Sequence, residues 1–109
     1  MAQTLKTLGQ VNPSATTLTT LYTVPALTTT AVSSLVICNQ ANTDATFRVS
    51  IAVAGAADDV KQYIYYETTV DANDTFIATV GLTLGAADVI RIYASSNSLS
   101  FSAFGAENS

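Results

Sequence analysis

The chain has 109 residues, a net charge of −4 and a charged fraction of only 11%, against about 25% in ordinary soluble domains; its length suits one domain with a modest core. Its four basic residues, Lys6, Arg48, Lys61 and Arg91, form no run, which argues against nucleic acid and against an anionic membrane surface, since both need clustered cations. No apolar stretch approaches the roughly 20 residues of a membrane span, and no basic-then-apolar segment marks a secretory signal at the N-terminus.

No segment keeps a helical period, whereas Val, Ile, Thr, Tyr and Phe recur throughout, which favours strands. Residues 4–10 read as an edge strand or an arm, and Pro13-Ser14 separates residues 1–14 from a body at 15–109. Thr17 to Val24 reads as a strand stopped by Pro25, which cannot donate to a ladder. Ala31 to Asn39 is dense enough in apolar residues to be buried on both faces. It contains the only cysteine, Cys38, which reads as a small buried hydrophobe and permits no internal disulfide.

Residues 45–53 alternate, with Phe47, Val49, Ile51 and Val53 on one face and Thr46, Arg48, Ser50 and Ala52 on the other. Gly55 to Asp59 reads as a loop. In the strand from Lys61 to Val70, strict alternation places Tyr63, Tyr65 and Glu67 on one face and Ile64, Tyr66 and Thr68 on the other. Asp71-Ala72-Asn73-Asp74 is a turn, because Asp and Asn bond their own backbone. Thr75 to Leu82 is a strand, Gly85 to Asp88 a turn, and Val89 to Ser95 a strand with Arg91 and Tyr93 opposite Ile90 and Ile92. Ser96 to Ser98 turns the chain into a last strand, Leu99 to Phe104. Seven to eight short strands with turns about every ten residues predict an all-β fold, an antiparallel two-sheet sandwich or jelly roll.

Chemistry is sparsely represented. The chain has no histidine, so the usual general base and commonest transition-metal ligand are missing. One cysteine cannot build a zinc site, and no glycine-rich phosphate loop occurs. The pairs Asp58/Asp59 and Asp71/Asp74 sit in turn-like segments and read as turn formers rather than catalytic or calcium-binding carboxylates. Asn73-Asp74-Thr75 matches a glycosylation sequon but reads as a turn feeding a strand. No catalytic, cofactor-binding or metal-binding residue is therefore expected. The candidate contacts for a partner are Tyr63, Tyr65 and Tyr93, because tyrosine joins apolar area to a polar tip. Arg48, Arg91 and Lys6 join them as charges on charge-poor strands, each arginine able to pair with Glu67 or an Asp.

The strings Leu21-Tyr22-Thr23-Val24-Pro25-Ala26, Val32 to Asn39, Ala45 to Val49, Tyr65-Tyr66, Asn73-Asp74-Thr75, Gly81 to Leu84, Asp88 to Ser95 and Leu99 to Gly105 span nearly the whole chain. In order and spacing they resemble a family of short virion structural proteins of tailed phages, especially phages of aquatic bacteria. The resemblance implies a β-sandwich and a non-enzymatic role, and supplies no catalytic residues. The expected partner is then a major capsid protein or another virion protein, with the chain made in the host cytoplasm and carried on the particle surface. The first expected role is a capsid decoration or cement protein, forming a homo-oligomer such as a trimer, with the N-terminal arm across a neighbour. A tail, baseplate or fibre-associated adaptor and a glycan- or receptor-binding module using the tyrosine strand are the alternatives.

Overall fold

The computed structural model describes residues 3–109, and these form eight strands: β1 (Gln3–Val11), β2 (Thr19–Thr23), β3 (Thr29–Asn39), β4 (Ala45–Ala52), β5 (Tyr63–Val70), β6 (Thr75–Leu84), β7 (Val89–Ala94) and β8 (Leu99–Asn108). They make two four-stranded sheets, ordered β1-β8-β3-β6 and β2-β7-β4-β5, and every strand pairing is antiparallel. In this order the first strand pairs with the last, the second with the seventh, the third with the sixth and the fourth with the fifth. The chain is thus one long antiparallel ribbon whose strand pairs fall alternately in the two sheets. That rolled ribbon is a jelly roll.

Alternation builds the core. Val32, Leu35 and Ile37 of β3, Phe47 and Val49 of β4, Ile90 and Ile92 of β7, and Leu99 and Phe101 of β8 are almost wholly buried. The β4 ring of Phe47 lies 5.3 Å from Phe76 and 6.0 Å from Phe101. Since β6 and β8 belong to the opposite sheet, these rings interlock the two layers, an arrangement of aromatic pairs worth about 0.5–1.5 kcal/mol beyond burial alone.

The short connections gather at the two ends of the sandwich. At one end, buried Asn39 is the tie point. Its Nδ2 donates to the carbonyls of Thr43 (2.9 Å), Val70 (3.2 Å) and Asp71 (3.3 Å), while its Oδ1 accepts from the Ala41 amide and the Ser98 hydroxyl. One side chain thereby holds three loops. Between the sheets, the Tyr22 hydroxyl of β2 donates to Glu107 of β8 and accepts from Thr30 of β3 at 2.8 Å. Burial, and then the bond to the Glu107 carboxylate, push the Tyr22 hydroxyl up to about 12. The same bond holds the Glu107 carboxyl below its usual range. Gly105 is required by close approach, because a Cβ there would lie 2.1 Å from the Ala31 carbonyl oxygen.

Three departures from the sequence reading have physical causes. β3 is buried on one face only: Thr30, Val32, Leu35 and Ile37 point inward, while Thr29, Ala31 and Ser33 are exposed and Cys38 is half-buried. Residues 60–62 form a 3-10 turn rather than the start of β5, its Asp59 capping box completed by Gln62. Val53 leaves the alternation of β4 and begins a second 3-10 turn, Val53–Gly55, where it is exposed.

Asn39→Ala strips partners from backbone groups of two loops and from the Ser98 hydroxyl of a third and is expected to cost about 2–4 kcal/mol; urea denaturation measures it, and a loss below about 1 kcal/mol contradicts the tie-point role. Because the Tyr22 pKa is raised from 10 to about 12 in the folded state, its stabilising contribution is complete below pH 10 and is lost as pH rises through 12. Tyrosinate absorbance is expected to show a ring ionising near pH 12 that Tyr22→Phe removes.

Candidate functional site

Four of the six functional candidates, Arg48, Tyr63, Arg91 and Tyr93, converge on the outward face of the β2-β7-β4-β5 sheet. Arg48 of β4 and Tyr93 of β7 are direct cross-strand partners, and both point away from the core because their neighbours Phe47, Val49, Ile92 and Ala94 point into it. The guanidinium carbon of Arg48 sits 4.2 Å from the Tyr93 ring centre and 4.5 Å from that of Tyr66, within the range of cation–π attraction. Its Nε donates to Glu67 at 2.6 Å, and this bond raises the Arg48 pKa further above the range in which it could lose its proton.

Tyr66 reaches this cluster through two interruptions of the β4–β5 ladder. Phe47 pairs with Thr68, Val49 with Tyr65 and Ser50 with Tyr63. Two steps along β4 therefore match three along β5, and the next single step matches two. The extra residues are β-bulges, which re-aim side chains. At the first, Glu67 takes a φ of +50°, a left-handed conformation that costs a non-glycine residue about 1–2 kcal/mol. Tyr65, Thr68 and Val70 consequently pair with core positions, while Tyr63, Tyr66 and Glu67 gather outside. Tyr63 and Tyr66 meet edge-to-face at 5.4 Å.

The β4–β5 connection folds over the rest of this face. Arg91 donates to the carbonyls of Ala56 at 2.7 Å and Gly55 at 3.2 Å, pinning the loop, and Asp88 accepts from the Ala54 amide at 2.8 Å. Beneath the loop Ser50 is wholly buried, its hydroxyl without a partner. Between the loop and β5 opens a cleft of about 660 Å³, lined by Arg48, Asp58, Asp59, Val60, Tyr63 and Tyr66. The Tyr63 hydroxyl donates to both carboxylate oxygens of Asp58, at 2.9 and 3.0 Å. Burial and that bond raise the Tyr63 pKa.

No family model matches the chain, and no curated protein sequence matches it. Among solved structures, a chain in the structure of infectious bursal disease virus, Gt strain, is similar with a TM-score of 0.50 at 10% sequence identity. The match covers 96% of this chain and 31% of that one, so the present chain spans under a third of the length of its neighbour. The likeness is one of fold: a two-sheet β-sandwich present in a virus structure accommodates nearly all of these residues.

Of the six residues that the sequence nominates, the structure brings Arg48, Tyr63 and Tyr93 onto one face. Arg91 lies on that face too, but its guanidinium is engaged by loop carbonyls instead of a carboxylate. Lys6 lies on β1 in the other sheet, where it pairs with Glu107 at 3.4 Å. Tyr65 does not share a face with Tyr63. Its ring packs 5.8 Å from Phe47 and 5.5 Å from Phe76, against the core. Tyr66, Asp58 and Asp59 belong to the cleft although the tyrosine alternation and the turn-like sequence argued otherwise. Only the bulges explain Tyr66, and bulges leave no reliable mark in a run of strand-forming residues.

Proposed function

We propose that the chain is a non-enzymatic structural component of a virus particle, a decoration protein that binds an assembled shell in many copies. The observation that carries this reading is the chemistry of one outward sheet face, set on a jelly roll similar over 96% of its length to a chain in a virus structure. Fold alone does not assign function, so the surface must supply the reason for docking.

Among the described residues, the four strands of the β1-β8-β3-β6 sheet carry only two charged side chains, Lys6 and Glu107, and these pair with each other near one end. The rest of the outward surface is Ser and Thr with apolar residues among them. Leu5 is 81% exposed and Ile77 66% exposed. Ile77 sits beside Val36, which in turn neighbours Ser102. Covering such a face removes apolar area from water at about 25 cal/mol per Å². It strips hydration from hydroxyls rather than from ions, which costs far less. A repeating shell then provides many equivalent seats, and each bound copy stabilises the assembled lattice over its free subunits by mass action.

The resemblance that the ordered strings from Leu21 to Gly105 bear to short tailed-phage virion proteins implies a tailed phage as the particle, its major capsid protein as the partner, and synthesis in the bacterial host before attachment to the particle surface. A trimer fits the closed symmetry usual for repeated subunits. The test is to mix the purified chain with shells of the parent phage assembled without it. Saturation at a copy number set by the lattice repeat, with a higher shell-disruption temperature, is the expected result. No binding overturns the reading; saturation at a few tens of copies or fewer overturns decoration in favour of a tail-associated adaptor.

A further inference from the structure

The cleft on the opposite sheet has a chemistry that the uncharged face lacks. Its walls bring two carboxylates, those of Asp58 and Asp59, to a cleft that holds one guanidinium, that of Arg48, whose charge is met by Glu67 beside it. Arg48 is already committed to Glu67 at 2.6 Å and to the rings of Tyr66 and Tyr93. Among the described residues neither Asp58 nor Asp59 forms an ion pair, and neither does Lys61 on the same loop. Asp58 is nonetheless fixed, because the Tyr63 hydroxyl holds both of its oxygens. Asp59 stands at the N-cap of the 3-10 turn at 60–62, where its backbone amide donates to the Gln62 side-chain oxygen at 3.3 Å. The aromatic wall stays open to solvent, with Tyr66 60% exposed and Val60 at the rim 87% exposed.

We propose that this cleft receives a basic side chain, arginine or lysine, presented by another protein chain. The carboxylates supply the countercharge, and the Tyr63–Tyr66 pair supplies ring faces and edges for the alkyl stem and the cationic head. The two negative charges left over at the cleft favour a cation over a neutral sugar, which would need no countercharge. The pocket is preorganised by bonds within the protein, so little ordering is required on binding. This contact is independent of the shell-binding reading, because it lies on the other sheet and needs only the folded chain.

The test is an amide and side-chain NMR titration of the full chain with Nα-acetyl-arginine amide and Nα-acetyl-lysine amide. Nα-acetyl-norleucine amide serves as the uncharged control and methyl galactoside as the sugar probe. Saturable shifts confined to Asp58–Tyr66, with the cationic probes only, are expected. Asp58→Asn and Asp59→Asn keep size and turn-capping ability, and together they are expected to weaken that binding at least about fivefold, the loss of one exposed charge contact or more. Tyr66→Leu is expected to weaken it as well. Equal response to the norleucine probe, saturation by the galactoside alone, absence of any saturable shift, or unchanged affinity in the folded Asn double variant each overturns the proposal.

Discussion

The constraint on which this molecule depends is the strict alternation of side chains along strands held in two packed layers. Each residue is committed to the core or to the outside by its parity, and only a bulge can change that commitment. Where the ladder runs without interruption, as between β4 and β7, Ile90, Ile92 and Ala94 fill the interior, and Arg91 and Tyr93 stand outside. Where β5 carries extra residues against β4, the commitment is rewritten. The aromatic cluster around Arg48 exists because of that rewriting. Without the bulges, Tyr66 would share its face with Val70, which is buried, and Arg48 would lose one of its two rings.

The same constraint decides what could be read from the sequence. Strands β4 and β7 were legible because their apolar residues fall at every second position, which only a half-buried strand explains. The all-β class and the two-sheet architecture follow from the number of such strands and the Asp, Asn and Gly turns between them. β3 misled, since Ala31, Val36 and Cys38 look fit for burial yet sit on the outward parity. β5 misled more, because Tyr63, Ile64, Tyr65 and Tyr66 are all acceptable inside or outside, so their order fixes no register. Asn39 also left no mark. A polar residue ending an apolar run reads as a strand terminus, whereas it is a buried bracket for three loops. Of the candidate site, Arg48, Tyr63 and Tyr93 were legible, and their meeting was not. That meeting depends on β4 lying between β7 and β5, a sheet order set by long-range pairing.

The two outward faces divide the chemistry of the chain between them. One sheet turns hydroxyls and scattered aliphatic groups to solvent, with its single ion pair near an end. The other collects both arginines, a glutamate and three of the five tyrosines. A low charged fraction overall is thus the average of a nearly uncharged surface and a concentrated one. An uncharged surface loses little on desolvation and suits a broad, lasting contact, whereas an aromatic cleft with spare carboxylates suits a single inserted group. A small jelly roll with closed, interlocked layers is stiff enough to present both at once.

Hydroxyl-radical footprinting of intact particles that carry the protein, compared with the purified chain, addresses the division of faces most directly. Strong protection of Leu5, Ile77 and Phe104 in the particle is the predicted result, because these residues stand on the face assigned to the shell. Equal labelling of those three residues in the particle and in the free chain, or protection confined to the tyrosine face, would contradict it.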